Sequence, residues 1–278
     1  MYYQKRIKMN TLKNKFGTWA IVTGASSGIG KEFANQLARE GMNLVLIARR
    51  ENLLKELADD LERNFKIQAK YLVMDLTDEN IIERIEDATK GLDVGFIVSN
   101  AGGARMGAFH KIPMIDFESM IKLNVSAQMK ISHWFSTRRI KENKKGGLLM
   151  VSSTTAFQGV PYGADYAAAK AYILNLGEAL NYELKSQGIN VTVLVPGPTD
   201  TPGLNDNADA DMAAHLPMKP QAVDQLVKEG LSAITKNKPS HIGGRMNRVM
   251  ASVMKTTMSR QGASKFWGKM MHKMVVIK

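Results

Sequence analysis

The segment TWAIVTGASSGIG, residues 18–30, joins a short apolar run to a turn that contains three glycines. The run TWAIVT is typical of a buried parallel strand, and the helical pattern after the turn extends from Lys31 to Glu40 and stops at Gly41. Glycines let the backbone approach a pyrophosphate closely, and a helix N-terminus offers free N–H groups. The spacing G-x-x-x-G-x-G differs from the common G-x-G-x-x-G. A plain turn is the alternative, but the flanking strand and helix favour a nucleotide-binding loop.

Apolar runs alternate with helical patterns along the rest of the chain. Runs at 43–48, 69–74, 94–99, 148–151 and 190–195, with a short one at 239–242, predict further strands, and long helices are predicted at 115–141 and 166–186. This alternation predicts an α/β, Rossmann-like, doubly wound parallel sheet with helices on both faces. The 278 residues, 44% of them hydrophobic, suffice for one large core. We therefore expect a basic N-terminal extension at 1–17, a single dinucleotide-binding catalytic domain at 18–244, and a basic, methionine-rich helical tail at 245–278.

Tyr166 and Lys170 form the one Tyr-x-x-x-Lys in the chain, with three alanines between them. Alanine favours helix, and residues four apart share a helix face, so the ammonium is expected beside the phenol. A phenol has a pKa of about 10, and a neighbouring cation lowers that value. The pair is therefore a candidate proton donor, although a packed ring beside a solvated amine is the plainer alternative.

These motifs, taken with others in the same order, resemble the short-chain dehydrogenase/reductase family. The resemblance covers about Gly17 to Gly244 and is carried by the segment 23–30, by Asn100-Ala101-Gly102, and by Asn124, Ser153, Tyr166 and Lys170. It implies a single Rossmann-like domain, a nicotinamide cofactor and the reversible oxidation of an alcohol to a carbonyl.

The resemblance also implies roles for four catalytic residues. Tyr166 would deliver the proton, while Lys170 would lower the pKa of Tyr166 and hold the nicotinamide ribose. Ser153, thirteen residues before Tyr166 as in the family pattern, would hydrogen-bond the substrate oxygen; this offset favours it over Ser152. Asn124 would support a water-linked proton relay to the lysine.

The end of the second predicted strand bears on the choice between NADPH and NADH. Arg49 and Arg50 follow it, with no acid before Glu51. A guanidinium suits a 2′-phosphate, which a carboxylate would repel. We therefore predict NADPH, with Arg49 as the main contact and Ser26 as a helper; a solvated helix start is the alternative.

The resemblance places further residues against the cofactor. Asp75 would meet the adenine amine, or would instead cap the next helix. The backbone of Asn100-Ala101-Gly102 would flank the adenosine, Pro196-Gly197 would pass the nicotinamide, and Thr201 would hold its carboxamide. The predicted cofactor contacts are Gly24, Ser26, Ser27, Gly28, Ile29, Gly30, Arg49, Asp75, Leu76, Asn100, Ala101, Gly102, Tyr166, Lys170, Pro196, Gly197, Thr199 and Thr201.

The composition restricts partners and location. The net charge is +12, but segments 1–17 and 245–278 hold thirteen basic and no acidic residues, so 18–244 is near neutral. The overall charge is therefore no argument for nucleic-acid binding. The chain has no cysteine and five scattered histidines, so we expect no disulfide and no metal. Without an apolar signal segment or a run near the ~20 residues that span a bilayer, we expect a cytoplasmic protein.

Two segments outside these motifs concern assembly and substrate. The tail has apolar residues at helical spacing beside basic ones, in two stretches separated near Gly262. We expect it to pack on the domain or on a second subunit of a dimer or tetramer; peripheral contact with an anionic membrane is the alternative. Residues 203–220, with Met212, Leu216 and Met218, are predicted to form a mobile lid over an apolar substrate, or else a plain surface helix.

The sequence thus predicts an NADPH-dependent oxidoreductase that reduces a carbonyl on a hydrophobic substrate and reversibly oxidises the alcohol. A 3-ketoacyl thioester and a ketosteroid are the candidate substrates. A non-catalytic nicotinamide-nucleotide-binding regulator or scaffold on the same fold is the alternative.

Overall fold

The computed structural model describes residues 11–202 and 219–275, and within them seven parallel strands form one sheet in the order β3-β2-β1-β4-β5-β6-β7. Chain order reverses between β1 and β4, which creates the crevice where open α/β sheets bind ligands. The predicted doubly wound parallel sheet is confirmed. The strands are β1 Trp19–Thr23, β2 Asn43–Ala48, β3 Ala69–Val73, β4 Val94–Ser99, β5 Gly146–Val151, β6 Ile189–Val195 and β7 Ser240–Ile242.

Helices cover both faces of the sheet. Within the described residues they are, in chain order, α1 Thr11–Phe16, α2 Gly28–Arg39, α3 Glu51–Phe65, α4 Ile81–Ala88, α5 Met114–Ile121, α6 Ala127–Lys141, α7 Ala164–Lys185, α8 Val223–Thr235, α9 Arg245–Thr257 and α10 Arg260–Val275. Short 3₁₀ helices lie at Phe109–Lys111 and Thr154–Phe157, and a π-helical turn, Lys122–Ser126, joins α5 to α6.

The core is divided by the sheet into two layers. Side chains alternate along a strand, so Ala20 and Val22 of β1 face one layer and Ile21 faces the other. Helices α1, α2, α3 and α8 supply the first layer, and α4, α6 and α7 supply the second. The strands are therefore buried on both faces, which explains their near-continuous apolar sequence.

Residues 11–16 belong to this core, whereas the sequence assigned them to a basic extension. Leu12 and Phe16 are buried, and the Phe16 ring lies 5.3 Å from that of Phe96. Gly95 makes room for this helix, because a side chain there would overlap the Phe16 carbonyl. Helix α1 therefore lies beneath the sheet as part of the domain.

The tail forms two helices, as predicted, and both contact the domain. Asn247 of α9 and Met271 of α10 are buried, which agrees with the predicted packing on the domain. The second helix begins at Arg260, slightly before the predicted break near Gly262. Met246, Val249 and Val253 of α9 stay exposed. None of the described helices is long and apolar enough to cross a bilayer.

Candidate active site

Asn124 lies in the π-helical turn between α5 and α6. Its side chain is fully buried. Nδ2 donates to the carbonyls of Gly103 (2.9 Å) and Met120 (3.1 Å), and Oδ1 accepts from the Gly103 N–H at 3.2 Å. A π turn inserts one extra residue into a helix and is frequent at functional sites. The turn thus directs the Asn124 amide onto the segment that follows β4.

Gly102 marks the place where Asn124 and Lys170 approach each other. A Cβ at Gly102 would lie 2.7 Å from Asn124 Oδ1 and 3.2 Å from Lys170 Nζ. Any side chain there would force the amide or the ammonium to move. The absence of a side chain at Gly102 therefore lets the π-helical turn, α7 and the segment after β4 come close together.

Lys170 is buried, with 4% of its surface exposed. Its Nζ donates to the Val151 carbonyl at 3.1 Å and lies 5.6 Å from the centroid of the Tyr166 ring. Burial lowers the pKa of Lys170 to about 8, because a low-dielectric site disfavours the charged form. Ser152 donates its hydroxyl to the Lys170 carbonyl at 2.7 Å, so Ser152 fastens α7 to β5.

Ser153 and Tyr166 are joined by a hydrogen bond between their side chains. Ser153 caps the 3₁₀ helix Thr154–Phe157, where its Oγ accepts from the Thr155 N–H at 3.2 Å. Burial raises the pKa of the Tyr166 hydroxyl, and the bond to Ser153 opposes this effect without overcoming it. The sequence predicted a lowered pKa through Lys170. The structure corrects this, because burial of the phenol outweighs the stabilising contacts.

The glycine-rich loop lies at the C-terminal end of β1. Gly24 has a φ of +66°, which side-chain-bearing residues rarely adopt. At Gly30 a side chain would overlap the Gly24 carbonyl oxygen. The Asn100 side chain donates to the Thr23 carbonyl at 3.0 Å, and Thr23 Oγ1 accepts from the N–H groups of Asn100 and Ala101. Without side chains at these glycines, the N–H groups at the start of α2 are open to a pyrophosphate, which they fit.

The two arginines after β2 point to different partners. Arg50 donates to the hydroxyls of Ser26 (2.9 Å) and Ser27 (2.7 Å). Arg49 lies 3.6 Å from the Asp75 carboxylate. Burial alone would raise the pKa of Asp75, but hydrogen bonds from Thr77, helped by Arg49, lower it. The structure therefore places Arg50 on the glycine-rich loop, while the contact of Arg49 with a 2′-phosphate stays a prediction.

The segment after β6 lies opposite this loop. The Thr154 N–H donates to the Pro196 carbonyl at 2.8 Å, and Thr199 Oγ1 donates to the Gly197 carbonyl at 3.0 Å. Thr201 approaches the loop, since a Cβ at Gly28 would lie 3.4 Å from the Thr201 side chain. These residues surround one crevice with the glycine-rich loop.

Other predicted positions have different surroundings. Leu76 is buried in the second core layer, and Ile29 packs against the first. The Asp75 carboxylate accepts from Thr77 two residues on, a turn rather than a cap of α4, which begins at Ile81. Most of the predicted lid lies at 203–218, outside the described residues. A bridge between Thr199 and Gln221 joins the two flanks of that segment.

Comparison with known proteins decides the family. The model of the short chain dehydrogenase family matches residues 18–212. The chain belongs to the short-chain dehydrogenase family. A 7beta-hydroxysteroid dehydrogenase of Clostridium sardiniense is 33% identical over 237 residues, 85% of this chain and 89% of the relative. This short-chain dehydrogenase is therefore an NAD(P)-dependent oxidoreductase that interconverts alcohol and carbonyl groups.

Solved structures agree with this family membership. A structure from work on 7beta-hydroxysteroid dehydrogenase stereoselectivity matches with a TM-score of 0.85 at 29% identity, covering 93% of this chain and 99% of that one. A short-chain dehydrogenase from Sphingobium yanoikuyae in complex with NADPH matches with a TM-score of 0.77 at 28% identity, covering 89% and 95%. The coverage extends beyond the residues matched by the family model, so the alignment includes part of the tail.

Two contacts of this short-chain dehydrogenase were missed by sequence reasoning. Asn247, in the predicted tail, is buried against Gly197, where a Cβ would lie 2.5 Å from its amide nitrogen. His272, read as a scattered histidine, contacts the Tyr162 hydroxyl at 2.8 Å. Neither contact has a local sequence signal, because each joins segments far apart in the chain. Among the described residues no group of His, Cys, Asp and Glu could hold a metal ion.

Proposed function

We propose that the enzyme uses NADPH to reduce the carbonyl of a bulky, hydrophobic substrate of the ketosteroid type and catalyses the reverse oxidation of the alcohol. The observation that carries the proposal is the convergence of Asn124, Ser153, Tyr166 and Lys170 at the C-terminal ends of β4 and β5. A Cβ added at Gly102 would lie within 3.2 Å of both the Asn124 amide oxygen and the Lys170 ammonium. Such a cluster beside a nucleotide loop suits hydride and proton transfer to one carbonyl.

The proposed steps follow from the environments of these side chains. The nicotinamide supplies the hydride when it is bound. The raised pKa of Tyr166 keeps the hydroxyl protonated at neutral pH, so that it has a proton to deliver to the substrate oxygen. When the substrate binds, the Ser153 hydroxyl would turn from Tyr166 and donate a hydrogen bond to the same oxygen as charge develops on it. Lys170, with a pKa of about 8, is mostly protonated at pH 7 and can replace the proton that Tyr166 gives up.

Asn124 is proposed to support the supply of protons to Lys170. Its amide nitrogen and oxygen are held by Gly103 and Met120, so the group is fixed before any substrate arrives. We propose that it orders water between the Lys170 ammonium and the protein exterior. Lys170 would also hold the nicotinamide ribose, as the family resemblance implies.

The preference for NADPH rests on the arginine that contacts the glycine-rich loop. Three hydrogen bonds from Arg50 to Ser26 and Ser27 hold its guanidinium against the loop, and this supports a contact with a ribose 2′-phosphate. Arg49 is drawn toward Asp75 and becomes the secondary contact. A related short-chain dehydrogenase was solved with NADPH, which supports the assignment.

The steroid class is favoured by the similarity to 7beta-hydroxysteroid dehydrogenases. A small apolar cluster that includes Ala167, the residue after Tyr166, agrees with an apolar substrate nearby; its other members include Val160, Met271 and Met106. A 3-ketoacyl thioester remains the second substrate to test, since it presents a similar ketone next to an apolar chain.

Assembly and location remain proposals. We expect a homo-oligomer, because α6 and α7 expose Met129, Ile140, Tyr172 and Tyr182, and exposed apolar residues mark interaction surfaces. The cytoplasmic location and the alternative of peripheral membrane contact through the tail stay predictions.

The experiment is a screen of NADPH oxidation with the purified full-length protein. The substrates are a 7-oxosteroid, a 17-oxosteroid, a long-chain 3-ketoacyl thioester and a small ketone. We expect the steroid ketones to give the highest kcat/KM. Binding of NADPH without turnover of any ketone, or of the matching alcohols with NADP⁺, would reject the proposal and favour the non-catalytic regulator or scaffold.

A further inference from the structure

Helix α10 lies along the loop that connects two of the site residues. This loop, residues 158–163, runs from the 3₁₀ helix after Ser153 to α7, which carries Tyr166. The helix approaches it closely at two glycines. A Cβ at Gly268 would lie 3.1 Å from the Pro161 ring, and one at Gly159 would lie 3.6 Å from Ser264 Oγ. The tail helix therefore packs on the backbone that sets the relation of Ser153 to Tyr166.

A small apolar core fastens α10 to this loop. Val160, Ala167 and Met271 are its buried members. Met106, Tyr162 and Met270 pack against them, and this cluster is distinct from the two core layers of the sheet. Ala167 directly follows Tyr166 in the chain, so displacement of Met271 would change the packing one residue from the candidate proton donor.

Tyr162 holds this loop in an unusual conformation. Its φ is +66°, a left-handed region that is strained for a residue with a bulky side chain. Such a conformation persists only where contacts hold it. Here the Tyr162 carbonyl accepts from the Gly107 N–H at 2.8 Å, and the Tyr162 hydroxyl contacts His272 Nδ1 at 2.8 Å. One contact comes from the loop after β4 and the other from the tail.

We propose that His272 is a positioning residue, which acts through Tyr162 to hold the 158–163 loop and thereby the relative placement of Ser153 and Tyr166. The tail helix then supports the geometry of the reaction site through the 158–163 loop. The inference rests on the proposed function for its kinetic consequence, whereas its structural consequence is measurable without turnover.

The test is a double-mutant cycle with Tyr162→Phe and His272→Ala in the full-length protein. Each single variant should lower kcat for a 7-oxosteroid by about two- to tenfold, the size of one lost hydrogen bond, while KM for the steroid and Kd for NADPH stay nearly unchanged. The double variant should lose no more than a single one, since both remove the same contact. His272→Asn, whose amide group lies at the same distance along the side chain as Nδ1, should restore part of kcat.

Hydrogen exchange of the cofactor-free protein provides the second readout. Backbone amides of residues 158–163 should exchange faster in His272→Ala than in the wild type. Lys269→Ala, an exposed position on the same helix, is the matched control and should change neither kcat nor exchange. Met271→Ala should reproduce the exchange effect, and Met271→Leu should largely avoid it.

Three results would overturn the inference. They are fully additive losses of kcat, a parallel loss of NADPH affinity, and unchanged exchange in His272→Ala. Additive losses would mean that Tyr162 acts on the substrate independently of His272. If the wild type reduces none of the ketones, the proposed function fails, and the exchange measurement alone then decides whether α10 positions the loop.

Discussion

Replacement of Lys170 by methionine should favour the cofactor-free folded protein most at neutral pH, and the stability of the variant relative to the wild type should fall as the pH rises. The pKa of Lys170 is about 8, against 10.5 for an unperturbed lysine, because burial disfavours the ammonium. Each pH unit corresponds to about 1.4 kcal/mol, so the pH-dependent penalty carried by Lys170 below pH 8 is about 3 kcal/mol. Methionine fills the same space without a charge.

The direction follows from proton binding. Between about pH 8 and 10.5 the unfolded chain binds the Lys170 proton and the folded protein does not, so wild-type stability rises with pH in this window. The methionine variant lacks this rise. The loss of the hydrogen bond to the Val151 carbonyl offsets the gain by about 1–3 kcal/mol at every pH, and therefore leaves the slope unchanged.

The assay is urea unfolding of both proteins without cofactor at several pH values from 7 to 10. The difference in unfolding free energy between variant and wild type should fall by roughly 2–3 kcal/mol across this range. Taking this difference removes the effect of all other titrating groups, which the two proteins share. If this difference stays constant or grows with pH, burial does not lower the pKa of Lys170 and the reasoning is refuted.

Three further changes test the cofactor site and the core. Arg50→Ala should raise KM for NADPH at least about tenfold, as a lost charged hydrogen bond implies, with little effect on KM for NADH. Arg49→Ala should have a smaller effect; a larger one would make Arg49 the main contact of the 2′-phosphate, as the sequence predicts. Gly102→Ala should lower kcat by about a hundredfold while the protein stays folded, because its Cβ would lie 2.7 Å from Asn124 Oδ1 and small displacements at a reaction centre are costly. A near-normal kcat with either cofactor would show that catalysis does not need the close approach of Asn124 and Lys170 at Gly102. Phe16→Ala should cost about 3–5 kcal/mol of stability in thermal or urea unfolding, whereas a loss below about 1 kcal/mol would mean that α1 is the loose extension inferred from the sequence.

The sheet could be predicted from the sequence because parallel strands are buried on both faces. Their side chains must then be apolar at nearly every position, which leaves short apolar runs bounded by glycine or polar residues. The strand at 43–48 was therefore located to the residue. Helix α1 was not predicted because it has six residues, and its buried Leu12 and Phe16 are too few to establish a helical periodicity of apolar residues.

The site was predictable where one motif fixes geometry and unpredictable where distant segments meet. Helical spacing and the family pattern led to Tyr166 and Lys170, which share a face of α7. The choice between Arg49 and Arg50 depends on a single turn of backbone after β2, which composition does not reveal. The pKa of Tyr166 depends on how deeply the phenol is buried, a property of the whole fold.

The most direct test of the account compares Tyr166→Phe with the wild type in two measurements on the same preparations. We expect NADPH to bind both proteins with similar affinity, because only a hydroxyl is removed. The rate of NADPH oxidation with a 7-oxosteroid should fall at least about a hundredfold in the variant, as general acid catalysis contributes about 10²–10⁴. A variant that retains a substantial fraction of the wild-type rate would contradict the assignment of Tyr166 as the proton donor and the mechanism built on it.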